Sequence, residues 1–253
     1  MHYKLIISIF GCATIPRYKN EIMKIKETWA QSSNTSIKIL FFLGEEKVVD
    51  LEDESENCIF LPNVMNDYLS ASYKQNLGLK YIYDNYTCDY VLCCGTDTYI
   101  NIPKLDQLLT NYTSTDDLYI GGHGDYRTIH NTPYYYHSGG PGFLLSFSCF
   151  KKIYPYLASL TDIWICICKE NNKMELITAC DVAISYFLQN LVKPEIVKLN
   201  TMFFNCNHKG WPCHLHKVNM SEIVACHNMS LDDFDHFHDI LKKNDFFMNN
   251  LMD

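Results

Sequence analysis

The tetrapeptide Gly95-Thr96-Asp97-Thr98 follows directly on Tyr90–Cys94, a short continuous apolar run that reads as a buried strand. Polar residues leaving the carboxyl end of a strand stand where open α/β sheets form their ligand crevices, so this turn is the first place to look for chemistry. Taken alone, Asp97 reads as a turn or helix-cap residue, because Asp bonds readily to nearby backbone amides. A second candidate is the turn Gly139-Gly140-Pro141-Gly142, preceded by Tyr134-Tyr135-Tyr136-His137-Ser138. It could cradle a phosphate, yet it matches neither the dinucleotide nor the P-loop spacing. Cys206, Cys213, His214, His216, Cys226 and His227 form a third group. Zinc sites pair their ligands at Cys-x₂₋₄-Cys spacing, and the lack of such pairs argues against a structural zinc. His236-Phe237-His238, set among Asp232, Asp233, Asp235 and Asp239, reads as an exposed helix face.

The elements that must position these residues alternate between strand-like and helix-like patterns, the order of a sheet covered by helices. Lys4 to Phe10 reads as a first strand, followed by Ile22, Ile25 and Trp29 at helical spacing, and Ile37 to Leu43 as the next strand. Glu45 to Asn57 is acidic and weakly patterned, a surface loop or short helix. Leu69, Tyr73, Leu77 and Tyr81 at i, i+4 spacing predict one buried stripe of a helix. Pro103 suits the first turn of a helix containing Leu105, Leu108 and Leu109. Leu118 to Ile120 and Phe143 to Ser146 are further strands, and Asp181 to Leu191 and the tract after Leu231 are helical. No repeat or linker divides the chain, which predicts one α/β domain over residues 1–253.

Composition limits the functions available. With 47% hydrophobic and 20% charged residues the chain is an ordinary globular one. A formal net charge of −8 argues against nucleic acid, which needs a basic footprint, and leaves an anionic small ligand in need of a local cation. The apolar run Leu5 to Ala13 is too short to span a bilayer, for which about 20 residues are required. It reads as a buried strand, with a signal peptide as the other possibility. Of twelve cysteines, Cys93, Cys94, Cys166 and Cys168 lie inside apolar runs as small core residues, which favours a reducing cytoplasm. Asn-x-Ser/Thr sequons at Asn34, Asn85, Asn111, Asn219 and Asn228 pull weakly toward a secretory lumen.

Read as a whole, Asp89-Tyr-Val-Leu-Cys-Cys-Gly-Thr-Asp-Thr-Tyr-Ile-Asn101 resembles the strand and Asp-x-Asp turn of the fringe-like β1,3-glycosyltransferases, which include the core 1 galactosyltransferases. Members typically show three aspartates before Thr-Tyr/Phe-Val-Asn, where this chain has Gly95-Thr96-Asp97. Further matches follow in the family's order. Lys26-Glu27-Thr28-Trp29 resembles Arg-Glu-Thr-Trp, and Asp67-Tyr68, Tyr73-Lys74 and Leu77 to Tyr81 resemble Asp-x-Tyr, Leu-x-x-Lys and Gly-Leu-Lys-Trp. Ser138 to Ser146 is similar to Gly-Gly-Ala-Gly-Tyr-Val-Leu-Ser, Cys180-Asp181-Val182 to Asp/Glu-Asp-Val before a helix, and Ile223 to Met229 to a late strand ending in Ser-Phe-His.

The resemblance implies a GT-A-type, Rossmann-like mixed sheet with helices on both faces, a UDP-sugar donor, and Mn²⁺ or another divalent cation such as Mg²⁺ at the diphosphate. It assigns Asp97 and His227 to the metal, and Gly95, Thr96, Lys74, Tyr136, Gly139 and Gly140 to donor and acceptor. Asp181 becomes the general base that takes the proton of the acceptor hydroxyl during inverting transfer. Its place at a helix start favours the ionised form, so partial burial must restore its basicity. The competing reading of Asp181 is an ordinary helix N-cap. The expected reaction moves a hexose or N-acetylhexosamine to a glycan or glycoconjugate hydroxyl, with β1,3 linkage. Gly95 and Cys180, where members often carry acids, leave open a non-catalytic glycan- or nucleotide-binding domain, and a retaining transferase is a third reading.

Overall fold

The computed structural model describes residues 2–45, 57–68, 70–205 and 220–249. Seven strands form one large sheet. They are β1 (His2–Phe10), β2 (Ile37–Leu43), β3 (Cys58–Phe60), β4 (Thr87–Gly95), β6 (Leu118–Gly121), β9 (Phe143–Ser146) and β10 (Glu195–Lys198), in the spatial order β10-β6-β9-β4-β1-β2-β3. Neighbours run parallel except around β9, which is antiparallel to both β4 and β6. The sheet is therefore mixed. Its central strands are apolar on both faces because both faces are covered.

Alternation along β1 assigns the two cores: Leu5, Ile7 and Ile9 join one cluster and Ile6 the other. The first core receives α1 (Pro16–Glu27), α3 (Ile102–Leu109) and α7 (Leu231–Asn249). The second receives α2 (Ala71–Asn85), α4 (Phe147–Ile153), α5 (Leu160–Glu170) and α6 (Cys180–Phe187). A hairpin of β7 (Asp125–Ile129) and β8 (Thr132–Tyr136) and a small sheet of β11 (Phe203–Phe204), β12 (Ala225–Cys226) and β5 (Tyr99–Ile100) stand apart from the main sheet. None of the described helices is long and apolar enough to cross a membrane.

Several expectations need correction. On α2 the half-buried Tyr73, Leu77 and Tyr81 pack against the second core as expected, but the buried face extends to Ser72, Gln75, Asn76, Leu79 and Ile82; Leu69 lies outside the described residues. Polar Gln75 and Asn76 can be buried there because α5 and α6 supply partners, Thr161 Oγ1 and the Cys180 carbonyl. His238 is buried rather than exposed, with Nδ1 at 2.7 Å from the Tyr99 hydroxyl, because α7 packs Phe234 and Phe237 against β5. Cys166 is exposed, whereas Cys93, Cys94 and Cys168 are core residues; all ten cysteines among the described residues are free thiols. The acidic tract 46–56 and Cys206, Cys213, His214 and His216 lie outside the described residues.

Candidate active site

Strand β4 delivers Asp97 to the carboxyl edge of the sheet, next to the end of β1, with Gly95 opposite Phe10. The chain then turns into β5, which pairs antiparallel with β12 in the register Tyr99↔Cys226 and Ile100↔Ala225. Residues just after Cys226 therefore lie across from those just before Tyr99, and this pairing brings His227 to Asp97. His227 Nε2 is 3.2 Å from Asp97 Oδ1, and the Met229 N–H donates to the Asp97 carbonyl at 3.0 Å. On the other carboxylate oxygen, Arg17 Nη2 lies 3.5 Å from Oδ2. Burial alone would raise the Asp97 pKa, but the bond and charge of His227 together with Arg17 hold it below its ordinary value.

Arg17 is fixed in turn by Glu21, one helical turn further along α1, whose Oε1 accepts from Arg17 Nε at 2.8 Å. The second oxygen of this buried carboxylate accepts the Thr96 hydroxyl. Thr96 thus lines the cavity while its hydroxyl points back to α1.

Asp181 sits in the first turn of α6, with Ala179 rather than Asp181 as N-cap. Its Oδ1 accepts the Val182 N–H at 2.8 Å and its Oδ2 the Gly139 N–H at 2.9 Å. Burial raises its pKa above the ordinary carboxylate value, against the two amides, which lower it. Gly140, the next residue of the same segment, backs onto the other centre: a Cβ there would lie 2.4 Å from His227 Nδ1, and Thr98 Oγ1 donates to its carbonyl at 2.7 Å. The Gly139-Gly140 peptide therefore separates Asp181 from His227 and touches both.

These groups face one cavity of about 620 Å³, lined also by Lys74, Gly95, Thr96, Asp67, Tyr68 and Cys180. Lys74 is buried, its Nζ only 3.5 Å from the Asp67 carbonyl, and burial lowers its pKa. At Gly95 a Cβ would meet only Asp97 Oδ1, at 3.3 Å, so the missing side chain leaves room in the site rather than relieving a clash. Tyr136 is not among the lining residues: it lies to one side with the Arg127 guanidinium 5.0 Å from its ring centre. Arg17 and Glu21 were not singled out from sequence, although their i, i+4 spacing just after the first strand was a signal available there. Asp67, matched but given no role, accepts the Ser70 N–H at 2.7 Å at the cavity wall.

The fit of a divalent cation can be judged from the donor set. Among the described residues no three His, Cys, Asp or Glu side chains gather as a metal cage. Asp97 and His227 offer one oxygen and one nitrogen 3.2 Å apart. Adjacent ligands at about 2.2 Å from a common ion stand about 3.1 Å apart, so the pair suits two neighbouring positions of an octahedral ion. His227 Nδ1 is buried and has no hydrogen-bond partner among the described residues. The residues fit the ion, with the remaining positions left to ligand oxygens and water.

The fold is the GT-A architecture of glycosyltransferases. The model of the Fringe-like family matches residues 5–249, and the chain belongs to that family. Among solved structures it is similar to a glycosyltransferase involved in the glycosylation of the major capsid of PBCV-1, with TM-score 0.52 and 11% identity over 92% of this chain and 98% of that one. It is also similar to the galactosyltransferase LgtC in complex with donor and acceptor sugar analogs, with TM-score 0.50 and 12% identity over 93% and 96% of the two chains. A third likeness is the apo form of the glycosyltransferase GlyE of Streptococcus pneumoniae TIGR4, with TM-score 0.51 and 11% identity over 99% of this chain and 64% of that chain. No curated protein sequence matches significantly.

Proposed function

We propose that this chain is an inverting, metal-dependent transferase that moves a hexose or N-acetylhexosamine from a UDP-sugar to a glycan or glycoconjugate hydroxyl, forming a β1,3 linkage. The reading rests on one observation. A carboxylate–imidazole pair and a separate buried carboxylate with a raised pKa face the same cavity, with the Gly139-Gly140 peptide between them. Asp97 and His227 would hold Mn²⁺ or Mg²⁺, which when bound supplies charge neutralisation at the leaving diphosphate. Arg17 adds a fixed positive charge beside them. Asp181, kept basic by burial, accepts the proton of the acceptor hydroxyl as its oxygen attacks the anomeric carbon from the opposite side. Gly95, Thr96, Lys74, Gly139 and Gly140 form the walls that hold donor and acceptor, while Tyr136 lies to one side of them.

The test is a thermal-melting screen of UDP-galactose, UDP-glucose and UDP-N-acetylglucosamine, each with and without Mn²⁺, followed by transfer to a glycan with the product's anomeric configuration read by NMR. A donor that raises the melting temperature only with metal present, and yields a β-linked product, is the expected result. A donor bound but neither hydrolysed nor transferred would replace this reading with a glycan- or nucleotide-binding domain. An α-linked product would make the enzyme a retaining one.

A further inference from the structure

Tyr119 is fully buried in β6, and its hydroxyl lies behind the cavity at the junction of two segments that reach it. The His137 N–H donates to the phenol oxygen at 3.1 Å, and that oxygen lies 2.6 Å from Ser185 Oγ. Ser185 Oγ in turn donates to the backbone carbonyl of Asp181 at 2.6 Å. A carbonyl can only accept, so the Ser185 proton is committed to that bond. The phenol proton must then point to Ser185 Oγ, while the phenol oxygen accepts from His137. The hydrogen bonds run in one direction, from the His137 N–H through Tyr119 and Ser185 to the Asp181 carbonyl, with one proton per link.

We infer that Tyr119 and Ser185 are positioning residues for Asp181, joining the first turn of α6 to the segment that leads into Gly139. The inference rests on the reading of Asp181 as the base. Gly139, two residues beyond His137, is the group whose N–H holds Asp181 Oδ2 at 2.9 Å. One hydroxyl therefore governs both sides of the contact that aims the carboxylate. The neighbouring Cys180 carbonyl is held by Gln75 Nε2 at 3.2 Å, a second neutral anchor at the start of α6. Phenylalanine at position 119 would keep the ring contacts with His137 and Phe143, at 4.5 and 5.5 Å between centroids, and remove only the bridging hydroxyl. A loosened Asp181 admits water, which relieves the burial that raises its pKa. The titratable groups facing it are Arg127 of β7, Tyr136 of β8, Tyr119 of β6, Tyr68 and its own neighbour Cys180. Of these, only Tyr119 is touched by a change at Ser185, through the hydroxyl bond that the proposal concerns.

The experiment compares Tyr119→Phe, Ser185→Ala, Ser185→Thr and Asp181→Asn in the full chain, measuring kcat, donor KM, the pH profile of kcat and thermal melting. Tyr119→Phe and Ser185→Ala are expected to lower kcat by about 10–100-fold while donor KM stays within about twofold. The acid limb of their profiles moves to lower pH, and Ser185→Thr, which keeps the hydroxyl, recovers most of the rate. Wild-type kcat and pH profile in both hydroxyl-deleting variants, in a background where Asp181→Asn abolishes transfer, would overturn the inference. So would a loss that tracks only the folded fraction and is not recovered by threonine. Retention of transfer by Asp181→Asn would instead refute the base assignment itself, and the inference with it. Should Tyr119→Phe fail to fold, the Ser185 pair decides.

Discussion

Alanine at Gly140 is a sharp perturbation of the proposed metal pair, because it adds one methyl group and no charge. Its Cβ would lie 2.4 Å from His227 Nδ1, 2.7 Å from His227 Cε1 and 2.6 Å from Asn205 Oδ1. Carbon contacts relax at about 3.5 Å or more, so the imidazole must retreat by about 1 Å. A shift of this size takes Nε2 out of the 3.2 Å relation with Asp97 Oδ1. Overpacking of this kind costs about 1–3 kcal/mol of stability, which leaves a domain of this size folded. Misplacing one of the two proposed protein ligands should weaken Mn²⁺ binding by at least 10-fold and slow transfer by about 100-fold. The assay is Mn²⁺ calorimetry in the presence of UDP, with transfer measured at saturating metal and melting recorded on the same sample. A folded Gly140→Ala protein with wild-type Mn²⁺ affinity would refute the convergence of Asp97 and His227 on one ion.

Asp97→Asn keeps an oxygen for His227 but removes the charge, so metal-dependent donor turnover should fall by about 100-fold or more; near wild-type turnover with Mn²⁺ would discard the metal centre. Asp181→Asn loses one of two bonds to backbone N–H groups, worth about 1 kcal/mol, and should fold and bind UDP and Mn²⁺ normally while kcat drops by roughly 10²–10⁴-fold. In the wild type kcat should rise as pH climbs through the raised Asp181 pKa, since only the ionised carboxylate accepts a proton, and this limb should be absent from Asp181→Asn. Arg17→Gln removes the cation that competes for Asp97 Oδ2, so Mn²⁺ alone should bind more tightly, as read by calorimetry, whereas UDP affinity should fall in a salt-dependent way. Unchanged affinities for both would place Arg17 outside the site.

The strands were legible because buried apolar runs bounded by polar turns leave few alternatives: Ile37–Leu43 and Phe143–Ser146 emerge with the boundaries read from sequence. The edge strands β3 and β10, the helices α4 and α5 and the β7–β8 hairpin were not foreseen. Phe147–Ile153 follows a strand with no intervening turn signal, and Thr132–Tyr136 carries a proline and a tyrosine run in place of clean alternation. At α2 the large side chains drew the buried stripe to one side, whereas Gln75 and Asn76 are buried because of partners contributed by helices about a hundred residues later. Periodicity cannot report such a long-range pairing. In the site, Asp97 could be read from its place after β4, but its meeting with His227 depends on the β5–β12 register, carried by two-residue strands too short to leave a pattern. The family resemblance supplied that pairing where local physics could not.

The same register explains how the site accommodates its departures at positions 95 and 96. Thr96 cannot bring a carboxylate to the turn, yet its hydroxyl is bound by one, because Glu21 reaches up from α1 and is itself buried. That buried charge would be costly alone, and Arg17 compensates it from one turn away. Arg17 then lies within reach of Asp97, whose carboxylate has a basic group at each oxygen. A second aspartate at position 95 would have room, but it would meet Asp97 Oδ1 at close range. The glycine therefore suits a turn whose charge balance is set by α1, and the diphosphate of a donor would meet a wall already carrying one guanidinium beside the proposed metal ligands.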